Sequence, residues 1–196
     1  MKIGVIGNGR VGSALAAGLE RIGHQVRFGH RDPEEPVKDA AEWGELIIMA
    51  VPFVELRNAA RSVGAAADGK IVVDVTNPLN RDGEWGIGYT TSAAEELQRA
   101  LPNAKVVKCF NTVFAQNQSI GMVGDVSLTA FVAGNDKGSR EAVMDLAREM
   151  GYEPVDAGPL HSARYLEPMG MQLISLAFIQ GMGPYIGYRL VIGNRP

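Results

Sequence analysis

Apolar positions along this chain follow two rhythms. Short unbroken runs rich in Val and Ile predict strands over Lys2 to Ile6, Gln25 to Phe28, Glu45 to Ala50, Lys70 to Val75, Lys105 to Cys109, Val126 to Ala133 and Glu153 to Asp156. Between them, apolar residues recur three and four apart. That spacing predicts helices over Val11 to Ile22, around Asp39 to Trp43, and over Phe53 to Val63, Ser92 to Ala100 and Ser162 to Gln180. A further helix carries a stripe of Ala142, Val143, Leu146, Ala147 and Met150, with Asn135 or Asp136 to cap its start and Gly151 to close it.

Strand runs that do not alternate with polar residues are covered on both faces, as in a parallel sheet wrapped by helices. The predicted fold is therefore α/β: a Rossmann-type, doubly wound, mainly parallel sheet with helices on both faces and a C-terminal helical extension. Residues 1–160 are assigned to this sheet domain, and residues 161–196 to a C-terminal helix and tail. Two stretches break the rhythm, "NPLNRDGEWGIGYTT" from Asn77 and the irregular segment Asn111 to Asp125. Long patternless loops inside a compact domain are commonly functional.

The first strand runs straight into Gly7, Gly9 and Gly12, spaced G-x-G-x-x-G, and a helix follows. In that setting Gly7 permits the sharp turn, Gly9 lets backbone approach a pyrophosphate, and Gly12 allows close packing of helix on strand. The free N–H groups of the helix start then bind the anion. The second strand, "QVRFG", ends at His30-Arg31 with no carboxylate at its tip. A 2′-phosphate calls for Arg and a 2′-hydroxyl for Asp or Glu, so Arg31, helped by His30, predicts NADP rather than NAD. Asp32 either binds a ribose hydroxyl or, standing before Pro33, starts a turn; the Asp-Pro pair favours the turn.

The totals narrow the partners. At 196 residues, with 46% hydrophobic residues and a formal charge of −3, the chain has the makings of a core and no attraction for polyanions. A small-molecule partner is predicted, with no nucleic acid and no membrane. One cysteine, Cys109, and three scattered histidines form no recognisable zinc arrangement and allow no intrachain disulfide, which predicts a cytoplasmic protein. Met1-Lys2 leads directly into a strand, so no signal peptide is expected. Cys109 itself reads as a small core residue.

Four stretches taken together resemble one family: "GNGRVG" at Gly7, "GHRD" at Gly29, "KVVKCFNTV" at Lys105 and "VDAGPLHSARYLEP" at Val155. They are similar to the NADP oxidoreductases that use the deazaflavin coenzyme F-420, and to the cytosolic reductase domain of the STEAP metalloreductases. The ending "QGMGPYIGYRL" from Gln180 is like that of the deazaflavin branch. The resemblance implies that Gly7, Asn8, Gly9, Arg10, Val11 and Gly12 cradle the pyrophosphate, and that His30 and Arg31 take the 2′-phosphate. It implies that Val51, Pro52 and Phe53 pass beside the ribose and nicotinamide. Asn77, Pro78, Asn111, Thr112 and the Met182 to Ile186 turn, with Tyr185 and Ile186, would frame the pocket where the two rings meet. This chain departs from the family pattern at His30, where Ser or Thr is usual, at Glu34-Glu35-Pro36, where relatives have a Lys, and at Asn111, where archaeal relatives have a His.

The activity so implied is hydride transfer between NADP(H) and coenzyme F-420 or a similar flavin-like acceptor, with no covalent nucleophile and no metal. The cofactors carry such chemistry and the protein sets their rings at ~3–3.5 Å. An NADPH-dependent flavin or ferric reductase, a non-catalytic NADP(H) sensor and a dehydrogenase of small hydroxy acids or imines are the alternatives. His161 and Arg164 either meet the acceptor's phosphate-bearing tail or stand at a helix start. The apolar helix with Met169, Met171, Leu173, Ile174, Leu176, Ala177, Phe178 and Ile179 predicts a homodimer contact.

Overall fold

The computed structural model describes residues 1–84 and 86–193. Trp85 in the first long loop, and residues 194–196 of the predicted tail, lie outside the described residues.

The elements follow in order as β1 (Lys2–Ile6), α1 (Arg10–Arg21), β2 (Gln25–Gly29), α2 (Val37–Trp43), β3 (Leu46–Met49), α3 (Phe53–Val63), β4 (Ile71–Asp74), α4 (Ala93–Ala100) and β5 (Lys105–Lys108). Then come α5 (Ala115–Gln118), β6 (Met122–Val123), β7 (Val126–Ser127), β8 (Thr129–Gly134), α6 (Lys137–Met150), β9 (Glu153–Gly158) and α7 (Ala163–Ile174). One sheet runs β2-β1-β3-β4-β5-β8-β9, and its one antiparallel pairing is β5 with β8. The strand order reverses direction at β1, which places a crevice between the ends of β1 and β3.

Alternate residues of each strand feed two cores. Ile3, Val5, Ile48 and Val73 pack with Leu15 and Leu19 of α1 and with α6 on one face. Ile6, Ile47, Met49 and Val72 pack with α2, α3 and α4 on the other. Both faces of the central strands are thus buried, which is why their sequences are apolar throughout. Helix ends match their chemistry as well. Asp136 Oδ1 accepts from the Ser139 amide at 2.8 Å, and Gly151 closes α6 in the left-handed region at φ 107°.

The structure differs from the expected elements in three places. The stretch Asn111 to Asp125 is not wholly irregular, since it holds α5 and the first arm of a small hairpin, β6 with β7. The strand expected over Val126 to Ala133 is split at Leu128, whose amide turns back to Gly121 O at 2.8 Å. The last helix is regular only to Ile174. Ser175–Ile179 then form a wider turn in which Gln180 N bonds Ser175 O, five residues back.

Beyond that turn the chain lies across the molecule. Asn117 Nδ2 donates to Pro184 O at 3.0 Å, Thr129 N to Tyr188 O at 2.9 Å, and Leu190 N to Thr129 Oγ1 at 2.8 Å. Among the described residues no helix is long and apolar enough to cross a membrane.

Candidate functional site

The crevice at the strand reversal is a groove made of three connected hollows. The first, about 380 Å³, runs from Gly29, His30 and Arg31 over Gly7 and Gly9 to α3. The second, about 450 Å³, shares Gly9, Val51 and Pro52 with the first and continues to Arg10, Phe53 and Asn77. The third, about 160 Å³, shares Val11, Val75 and Asn77 with the second and ends among Asn111, Phe114, Gln118 and the Gly170, Leu173 and Ile174 face of α7.

Each glycine of the loop has its own reason. Gly7 turns at φ 104°, and a Cβ there would stand 2.5 Å from Ala50 O. A Cβ on Gly12 would fall 2.1 Å from Gly7 O, so this position lies under the loop and packs helix against strand. A Cβ on Gly9 would meet nothing within 4 Å; it would project into the groove. α1 begins at Gly9 with no side-chain cap and no acidic residue in its first turn, so its first amides face the groove unpaired. That is a cradle shaped for an anion, and a dinucleotide's pyrophosphate fits it.

At the ribose end His30 and Arg31 do line the groove, and each faces a carboxylate. His30 Nε2 is 2.6 Å from Glu35 Oε2, and Arg31 Nη2 is 3.0 Å from Glu55 Oε1 on α3. Asp32 starts the turn, its Oδ1 accepting from the Glu34 amide at 3.0 Å.

At the far end, two asparagines hold one another. Asn111 Nδ2 donates to Asn77 Oδ1 at 2.9 Å and to Leu166 O at 2.8 Å, while Asn77 Nδ2 donates to Asn111 O at 3.0 Å. α7 approaches so closely that a Cβ on Gly170 would stand 2.6 Å from Asn77 Oδ1. Gln118 spends its Nε2 on the Phe110 and Val113 carbonyls, and its Oε1 is buried without a partner on the wall of the third hollow.

Beneath this end lies a cluster that the sequence reading did not single out. Lys108 of β5 is wholly buried, and its Nζ donates to Asp74 Oδ2 at 2.9 Å, to Glu167 Oε1 at 2.9 Å, and to Thr76 O. Asp74 Oδ1 accepts from the Thr76 amide and hydroxyl, and Glu167 accepts from the first amides of α4, Ala93 N at 3.0 Å and Ala94 N at 3.3 Å. Every buried donor and charge is matched. Burial alone would pull the Lys108 ammonium down, but Asp74 and Glu167 more than offset it and hold it above the usual range. Burial pushes the Glu167 carboxyl up, against the pull of Lys108. The cluster's signal was present as a lone Lys ending an apolar strand and a lone Glu inside an apolar helix.

The remaining predicted residues sort as follows. Asn8, Arg10, Val11, Val51, Pro52, Phe53, Asn77 and Asn111 line the groove. Pro78, Thr112, Tyr185 and Ile186 do not. Thr112 is buried, Tyr185 is exposed, and the turn carrying Tyr185 and Ile186 is drawn to Asn117 through the Pro184 and Ile186 carbonyls. Arg164 stands at the start of α7 and is spent on Glu95, at 2.9 and 2.7 Å, while His161 is exposed. Cys109 is a buried core residue whose thiol burial pushes up.

Comparison with known proteins agrees with this geometry. Residues 2–78 match the profile of a family described as "NADP oxidoreductase coenzyme F420-dependent". The chain is similar to Metalloreductase STEAP3 of Rattus norvegicus, 30% identical over 88% of this chain and 37% of that protein. It is also similar to the F420-dependent NADP reductase of Methanothermobacter marburgensis, 28% identical over 90% of this chain and 92% of that protein. It thus spans little more than a third of the curated metalloreductase's length. Among crystal structures, a candidate F420-dependent NADP reductase from Arthrobacter sp. FB24 is 30% identical and superposes with a TM-score of 0.90, over 98% of this chain and all of that one.

Proposed function

The chain belongs to the family of coenzyme F-420-dependent NADP oxidoreductases, and we propose that it is an enzyme moving a hydride between NADP(H) and a deazaflavin such as coenzyme F-420. The observation that carries this reading is the continuity of the groove. The hollow beside the glycine loop and the hollow under α7 share the wall of Val11, Val75 and Asn77. A dinucleotide laid over Gly9 therefore ends against the space that a second flat ring would enter.

Bound together, the two ligands supply a hydride passing from the dihydronicotinamide C4 to the deazaflavin C5, with one proton drawn from water. The residues of the chain bind and orient. The unpaired amides at the start of α1 hold the pyrophosphate. Pro52 and Phe53 confine the sugar and nicotinamide on one side. The locked Asn77 and Asn111 pair keeps the shared wall rigid. Val11, Val75, Leu173 and Ile174 present apolar surface that excludes water from between the rings. The exposed apolar side chains of Phe178, Ile179, Val191 and Ile192 serve contact between two copies of the chain.

A spectrophotometric assay tests the reading: purified protein, NADPH and oxidised coenzyme F-420, with free FMN and a ferric chelate in parallel. Loss of the deazaflavin absorbance with turnover supports it. Turnover with flavin or ferric chelate and none with the deazaflavin favours the activity named for the metalloreductase relative instead. Tight NADPH binding without turnover on any acceptor would leave a sensor.

A further inference from the structure

The mouth of the groove that would meet the adenosine 2′ substituent has its basic groups already paired. His30 Nδ1 accepts from the Asp32 amide at 3.3 Å, which puts the ring proton on Nε2, and Nε2 in turn faces Glu35 Oε2 at 2.6 Å. Both ring nitrogens are used. The His30 backbone is pinned as well, its amide donating to Glu35 O at 2.9 Å. Across the opening, Arg31 reaches Glu55 on α3, a carboxylate that itself lines the groove. Arg31 is the one formal cation among Arg31, Asp32, Glu34, Glu35 and Glu55, a set whose net charge is −3. The next cation along, Lys38, lies 3.6 Å from Glu42 on its own helix.

We propose that Glu35 and Glu55 set the dinucleotide selectivity of this groove, and that the chain accepts NADH as well as NADPH. The uncharged 2′-hydroxyl of NAD(H) enters this mouth with no ion pair broken. Glu55, whose carboxylate lines the groove, offers it an acceptor. The 2′-phosphate of NADP(H) has to share Arg31 with Glu55, and gains His30 only when that ring turns from Glu35. It also brings its dianionic charge beside carboxylates, where like charges repel. The inference rests on the groove being a dinucleotide site.

The test is titration of the full chain with NADPH and with NADH by quenching of protein fluorescence, for the wild type and for Glu35→Gln, Glu55→Gln and Arg31→Ala. Expected are wild-type dissociation constants within about tenfold of each other, and a ratio shifted toward NADPH by ~fivefold or more in each Gln variant. Arg31→Ala shifts the ratio toward NADH. Thermal melts confirm that the variants are folded, as carboxylate-to-amide changes outside the core should be. A wild-type preference for NADPH above about a hundredfold, or an unmoved ratio in both Gln variants, overturns the proposal. Failure of both dinucleotides to bind the wild type would overturn the reading of the groove, and the proposal with it.

Discussion

Lys108 Nζ stands 2.9 Å from Glu167 Oε1, with neither side chain reaching solvent and the two residues 59 positions apart in the chain. The contact fastens α7 to the end of β5. On either side of it lie the parts that shape the far end of the groove: Leu166 O holds Asn111, and Gly170 abuts Asn77. A charge cluster out of reach of any ligand thereby holds the wall that a ligand would touch.

Replacing Lys108 by Met leaves Asp74 and Glu167 buried without their cation. Stability falls by ~3–5 kcal/mol, read as a lower urea midpoint with an unchanged slope. Adding Glu167→Gln to Lys108→Met restores part of the loss, because one buried charge is removed. Equal stability of wild type and Lys108→Met would contradict the geometry.

The glycine loop makes opposite predictions for two neighbours. Gly9→Val adds a side chain in open space, so melting stays near wild type while the pyrophosphate loses its approach and NADPH binding weakens by at least ~tenfold. Gly12→Ala drives a methyl into the Gly7 carbonyl, so the protein itself is destabilised. Melting curves alongside fluorescence titration separate the two effects.

Gly170→Ala should act on the ring end alone. Its methyl would displace Asn77 from Asn111, lowering kcat with the acceptor while the NADPH dissociation constant changes little. A fall in NADPH affinity as large as the fall in kcat would contradict this.

The Glu95 carboxyl is held below the usual range chiefly by its hydrogen bonds from Arg164, against an opposing effect of burial. A depressed folded pKa contributes stability above the unfolded value that is lost as pH falls through the folded one. Wild type should therefore lose stability on acidification below about pH 4.5, and Glu95→Gln should flatten that part of the curve. Melting temperatures from pH 7 down to pH 3 give the comparison.

Phe178, Ile179, Val191 and Ile192 are 64–80% exposed, an apolar surface that a lone chain leaves in water. Sedimentation equilibrium at micromolar concentration should report a dimer, and Phe178→Asp with Ile179→Asp should shift it toward monomer. A wild-type monomer would remove the proposed contact.

Much of this was readable from residue order. The Phe53–Val63 helix has the boundaries its periodicity predicts, Gly7 turns and Gly12 packs as their spacing implied, and Gly9 opens onto the groove. What escaped was long-range or too short to carry a period. The two-residue arms of the hairpin at Met122 and Val126 give no alternation to detect. Lys108, Asp74 and Glu167 come from three distant segments, and each by itself passes for an end-of-strand or surface residue. His30 looked available for a phosphate because its partner, Glu35, reaches it only through a turn. Tyr185 and Ile186 missed the groove because Asn117 pulls their turn aside.

The buried cluster also orders the assembly of the molecule. Glu167 can leave water only once Lys108 and the amides of α4 are in position to receive it, and those lie in segments made earlier during synthesis. Docking of α7 therefore waits on β5 and α4, and with it the wall of the hollow under α7. The hollow under α7 thus depends on a charge cluster that forms no part of its own lining.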